Sequence, residues 1–155
     1  MATGSPEVVL VCAPFFSVVR PFAPPGYQLG LTMPSSPNGH VGRGTPDVAG
    51  NGASSAGYEV FFQGKRTTLG GTSAVAPLFA GLFARINQRL ASLGKPTAGF
   101  VNPLLYKSTT SFRSIVNGNN DLTGTLGLYH VAPGWDACTG LGAPIGTAIM
   151  EALGG

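Results

Sequence analysis

From Ala74 to Phe83 the chain is apolar at almost every position, and only Arg85, Asn87, Gln88 and Arg89 then give it a polar side. A helix that is apolar all round is a buried helix, so the pattern predicts a helix from Ser73 whose first half runs through the core. Pro77 is tolerated because it falls near the start, where few N–H groups have partners. Gly94 and Pro96 end the run. Before it, Gly57 to Phe62 and Lys65 to Leu69 read as two strands around Gln63-Gly64, a hairpin that delivers the chain to Gly70. After it, Asn102 to Tyr106 predicts a short helix with Pro103 in its first turn. Phe112 to Val116 predicts a strand, Asn117 to Asn120 a turn, and Ile145 to Leu153 a terminal helix. Upstream, Val8 to Cys12 and Phe15 to Val19 read as buried strands, and Pro21 to Pro25 and Pro34 to Pro37 as turns. Gly39 to Gly52 is loop-like around a short strand at Asp47-Val48-Ala49. Neither an internal repeat nor an interdomain linker is visible.

Composition narrows this picture. A chain of 155 residues can bury one core. Only 10% of residues are charged, yet 43% are hydrophobic, which separates a loop-rich globular fold from a disordered one despite 24 glycines and 13 prolines. Few carboxylates means little stability lost as carboxylates protonate, which suits an acidic milieu. The net charge of +3 comes from scattered residues. The chain lacks the basic stripe and aromatic platform of a nucleic-acid binder, and no apolar run approaches membrane-spanning length. Val8 to Val11 is too short for a secretory signal, and the segment before it lacks a basic region. The two cysteines, Cys12 and Cys138, form one disulfide or none, and neither has a cysteine or histidine at metal-ligand spacing.

The chemistry gathers at Gly70-Gly71-Thr72-Ser73. Thr72 is placed to cap the helix, its hydroxyl accepting from a free backbone N–H. Ser73 then sits in the first turn, where unpaired N–H groups and the positive end of the dipole favour a developing anion. The two glycines let another chain segment approach the backbone closely. This is how a nucleophilic serine is presented, although Thr-Ser before an apolar run is more commonly just a helix start.

The full string Gly70-Gly71-Thr72-Ser73-Ala74-Val75-Ala76-Pro77 resembles the catalytic-serine motif of the sedolisin (serine-carboxyl peptidase) family, acid-acting relatives of subtilisin. Three further stretches resemble that family in the expected order: Gly39 to Ala49, Phe112 to Asn120, and Gly134 to Gly142. The likeness runs from about Gly26 to the C-terminus, residues 26–155, and leaves residues 1–25 poorly matched. It implies the C-terminal half of a catalytic domain. The implied fold is subtilisin-like α/β, a largely parallel sheet flanked by helices with a peripheral β-hairpin. The implied activity is that of a serine-type endopeptidase, with Ser73 the nucleophile and an extracellular parent protein.

In that family the serine works with a glutamate and an aspartate four residues apart on one helix, and a further aspartate serves the oxyanion site. Such carboxyls shuttle the proton in an acidic site. The acids here are Glu7, Asp47, Glu59, Asp121, Asp136 and Glu151, and no two stand four apart. The resemblance therefore carries over Ser73 and not its partners. Asp47 matches a family position that reads as structural. A Ser73–His40–Asp47 relay stays chemically open, because triads are defined by geometry and not by order. His130 reads as a partly exposed strand or loop residue.

The last third resembles the family's calcium site. Its ligands would fall at Ser114, Ile115, Ala132, Gly134 and Asp136, with Ser114 where relatives carry aspartate. One carboxylate instead of two weakens the hold on calcium. The alternative is a loop held by Asp136 accepting backbone N–H bonds, with Trp135 packed below. Three functions stay open: a peptidase fragment acting on protein or peptide substrates, a non-catalytic remnant that binds peptide or a partner chain, and a weak esterase using His40. Loss of sheet strands exposes apolar edges, so pairing with a missing N-terminal half or with itself is expected.

Overall fold

The computed structural model describes residues 22–35, 39–120, 124, 127 and 129–155. Val8 to Cys12, Phe15 to Val19, Cys12 and Glu7 lie outside the described residues, as does Asp121.

The hairpin forms as the sequence predicts. Strand β1 (Tyr58–Phe62) pairs antiparallel with β2 (Lys65–Leu69), Phe62 opposite Lys65. The two-residue loop has positive φ at both positions, 49° at Gln63 and 77° at Gly64, the twist that suits a tight hairpin. Helix α1 (Val75–Ser92) follows a 3₁₀ turn at Thr72–Ala74. It ends as predicted: Gly94 has φ 68°, its N–H donates to the Ala91 carbonyl at 3.0 Å, and that of Lys95 to Leu90 at 2.9 Å. Helix α2 (Asn102–Lys107) starts with Pro103, and helix α3 (Gly146–Ala152) closes the chain.

The core is small and lies at the far end of α1. Ile86 and Leu90 pack with Leu105 of α2, Phe112, Leu141 and Ile149 of α3. Ile86 is 1% exposed, so the inward face of this end of α1 is enclosed.

Several expectations are corrected. The first half of α1 is not in the core: its buried residues are Ile86 and Leu90 only, and Leu78 is 53% exposed. The residues are apolar, but the described chain covers them only in part, with Val75 against Gly50 and Leu82 and Phe83 against the edge of the core. Thr72 makes no capping hydrogen bond, because Gly71, with φ 132°, turns the chain and Thr72 itself enters the 3₁₀ turn. The strand predicted over Phe112 to Val116 shrinks to β3 (Phe112–Arg113), antiparallel to β4 (Ala143–Pro144). Asp47 to Ala49 forms no strand. Its backbone is tied to the 141–142 segment, Leu141 N–H to the Asp47 carbonyl at 2.9 Å and Ala49 N–H to Gly142 at 3.0 Å. The described residues are thus α/β with paired strands that are all antiparallel, and the largely parallel sheet is not found among them. No helix among them is long and apolar enough to cross a membrane.

Candidate active site

The approach to Ser73 is built from the two glycines. A side chain at Gly70 would strike the backbone of Ala53 and Ser54, so glycine is required for this close approach. Gly71 donates its N–H to the Gly52 carbonyl at 2.8 Å and accepts from Ala74 at 3.1 Å. The neighbouring loop is braced by Asn51. Its side chain donates to the Ala56 carbonyl (2.6 Å) and accepts from Ala53 N–H (3.0 Å), and its own carbonyl accepts from the Tyr58 hydroxyl (2.7 Å). Gly50 lets the Val75 side chain in, since a Cβ there would lie 2.5 Å from Val75 Cγ1.

Ser73 is therefore held on a fixed turn at the head of an 18-residue helix, exposed, where the dipole favours negative charge. Its hydroxyl has no hydrogen-bond partner among the described residues. His40 lies in an exposed loop, and His130 is exposed in an isolated bridge to Asn119.

Asp47 belongs to a different cluster. Arg43 Nη2 donates to its Oδ2 at 2.5 Å, and the Tyr106 hydroxyl donates to Oδ1 at 2.7 Å. Gln28, 1% exposed, donates to the Tyr106 oxygen (2.7 Å) and the Gly44 carbonyl (2.9 Å), and accepts from Gly44 N–H (2.9 Å). Tyr27 packs its ring 5.0 Å from that of Tyr106. A carboxylate engaged this way fastens the 43–47 loop onto α2. Sequence reasoning missed Gln28 and Tyr106; the only local signal was the four-residue spacing of Arg43 and Asp47.

Burial, and then the hydrogen bond to Asp47, push the Tyr106 hydroxyl above its ordinary value near 10. A group whose folded pKa is raised stabilises the fold fully below its unfolded pKa and loses that contribution as pH rises through the folded value. Stability should accordingly fall above about pH 10. Tyr106→Phe should flatten this decline in denaturant titrations at pH 9 to 11, and cost about 1–2 kcal/mol at neutral pH through the lost hydroxyl. Equal alkaline slopes in the two proteins would refute the coupling.

The C-terminal loop is organised by Asp136, 5% exposed. Oδ1 accepts from the N–H groups of Cys138 (2.8 Å) and Thr139 (2.5 Å). Oδ2 accepts from the Thr139 hydroxyl (2.8 Å) and Ala132 N–H (3.2 Å). Trp135 donates to the Pro46 carbonyl at 3.0 Å. A carboxylate offers about four lone-pair sites, and all are taken by the loop itself. Ser114, Ala132 and Gly134 are exposed and Ile115 half-buried. Among the described residues no group of three or more His, Cys, Asp or Glu side chains could hold a metal. Cys138 is buried.

A diglycine turn that displays a serine at the head of a helix, in an α/β chain, is the arrangement of a candidate hydrolase nucleophile. Known proteins give the class a name. The chain is 50% identical to kumamolisin of Bacillus sp. (strain MN-32) over 139 residues, 88% of this chain and 24% of that protein. It is 40% identical to tripeptidyl-peptidase sed1 of Aspergillus fumigatus over 136 residues, 83% of the chain and 20% of the relative. It is 47% identical to aorsin of Aspergillus oryzae over 104 residues, 67% of the chain and 15% of the relative. No family model matches. Over most of its length, therefore, the chain resembles the sedolisin family, and it spans a quarter or less of the length of these relatives.

Proposed function

We propose that residues 26–155 are the serine-bearing C-terminal half of a sedolisin-like peptidase domain, with Ser73 the acyl-forming nucleophile of a complete, acid-acting, extracellular endopeptidase. The observation that carries this reading is the exposed Ser73 on its diglycine turn, in a chain half identical to kumamolisin. Its hydroxyl would attack the scissile carbonyl of a protein or peptide. A base outside the described residues would take the proton, and the Ser73 N–H at the helix terminus would face the developing oxyanion.

A second reading has its own support. No charged residue lies between Arg66 and Arg85, and Leu69 and Leu78 are each more than half exposed. So bare an apolar surface beside the serine favours a covering polypeptide, either the region that precedes the match in relatives or a second copy. Without that cover the chain would be a binding remnant.

Labelling with an active-site serine reagent at pH 4 and pH 8 tests these readings. We expect no labelling of the chain alone, and labelling of Ser73 at pH 4 when the preceding region of a relative is supplied. Labelling of the chain alone near neutrality would instead favour the His40 relay, and no labelling in either form would favour the remnant.

Calcium, on this reading, contributes little, since Ser114 supplies no carboxylate and Asp136 is filled by its own loop. Millimolar calcium against chelator should move the melting temperature by no more than a few degrees, the effect of ~1 kcal/mol at this size. Ser114→Asp should enlarge the response. A rise above about 10 °C in the unaltered chain would overturn the expectation.

A further inference from the structure

Gly146 at the start of α3 faces Leu82 of α1, and a Cβ there would lie 3.0 Å from Leu82 Cδ1. Beside this contact runs an open groove of about 640 Å³, with Leu82, Ile86 and Met150 as its apolar floor. Arg85 and Arg89, one helical turn apart, line its α1 wall, and both are exposed. Neither guanidinium has a hydrogen bond or ion pair among the described residues. Two like charges at this spacing repel by a few tenths of a kcal/mol unless an anion lies between them. The helix dipole rationalises Arg89, in the last turn, but not Arg85.

Among the described residues there is little to neutralise them. Asp47 is bound by Arg43, Glu59 by Arg66, and Asp136 by its own loop, which leaves Glu151 as the one described acid without such a role. With a net charge of +3, a second copy is a poor match for this groove. Nor does the groove belong to the serine site, since Arg85 lies ten residues, ~15 Å, along the helix from Val75.

We propose that the α1–α3 groove docks an acidic amphipathic helix of a partner polypeptide. Its apolar stripe would lie on Leu82 and Met150, above the buried Ile86, and two of its carboxylates, one turn apart, would pair with Arg85 and Arg89. This is helix-in-groove recognition with charge setting the register.

The test is fluorescence anisotropy of the whole chain with a labelled helical peptide that carries a leucine stripe and two glutamates one turn apart. The peptide should bind, and binding should weaken as salt is raised. Arg85→Gln with Arg89→Gln should weaken it about tenfold, with the circular-dichroism melt unchanged. If that double variant fails to fold, the same loss should appear when the peptide glutamates are replaced by glutamine against the unaltered chain. Absence of binding, equal binding of the glutamine peptide, or a homodimer dispersed by the double substitution would each overturn the proposal.

Discussion

In a polypeptide that carries the whole peptidase domain, Ser73→Ala is expected to lower acid proteolysis of a denatured protein by about 10⁴-fold or more, the scale on which losing a catalytic serine acts. In this chain alone the same substitution should change almost nothing. The contrast follows from the geometry around the hydroxyl. A serine is a poor nucleophile until a base removes its proton, and the Ser73 hydroxyl has no partner among the described residues. Asp47, the carboxylate of the Gly39 to Ala49 stretch, already receives Arg43 and Tyr106. What remains to Ser73 is its own N–H and the positive end of α1, enough for weak anion stabilisation and not for proton transfer. The measurement is hydrolysis from pH 3 to pH 8, with and without the upstream region, for both serine and alanine. Robust acid activity of the chain alone that vanishes in Ser73→Ala would show that a carboxylate does reach the serine. Activity indifferent to Ser73→Ala in the whole domain would remove Ser73 from the mechanism.

The split between what could be read from the residues and what could not has a physical origin. Local signals gave the hairpin around Gln63-Gly64, the stop at Gly94, the proline start of α2 and the diglycine turn, because each depends on backbone conformations that few residues adopt. The burial of α1 could not be read in the same way. An apolar stretch states what the residues would prefer to touch, not whether a layer is there to touch them, and Leu78 is left 53% exposed. The capping role given to Thr72 failed for a related reason, since Gly71 takes the turn one residue earlier. Gln28 was invisible because its partners, Gly44 and Tyr106, are 16 and 78 residues away. The Asp136 loop was legible only as two alternatives, calcium ligand or loop brace, and the four donors around the carboxylate match the brace.

That brace predicts the largest loss of stability in the chain. Asp136→Ala is expected to destabilise it by about 3–5 kcal/mol, because three N–H groups and one hydroxyl lose their acceptor in a buried site. The damage should not stay local. Gly140, with φ 62°, packs directly on Asp47, and the 141–142 backbone holds the Asp47 to Ala49 segment through two hydrogen bonds. Trp135, next to the carboxylate in sequence, holds the carbonyl of Pro46. Loosening the 136–142 loop should therefore release the 43–49 loop and, with it, the Gln28–Tyr106 cluster. At 2–4 °C per kcal/mol, the melting temperature should fall by about 6–20 °C. Asp136→Asn separates charge and shape. One amide oxygen can still accept from Cys138 and Thr139, but the amide NH₂ would face the Ala132 N–H, donor against donor, and could be met only by the Thr139 hydroxyl turning its oxygen inward. It should recover roughly half of the loss, and amide exchange at Ala132 should rise before that at Cys138 and Thr139. If Asp136→Ala melts within ~3 °C of the unaltered chain, the carboxylate is not the brace that its four hydrogen bonds make it.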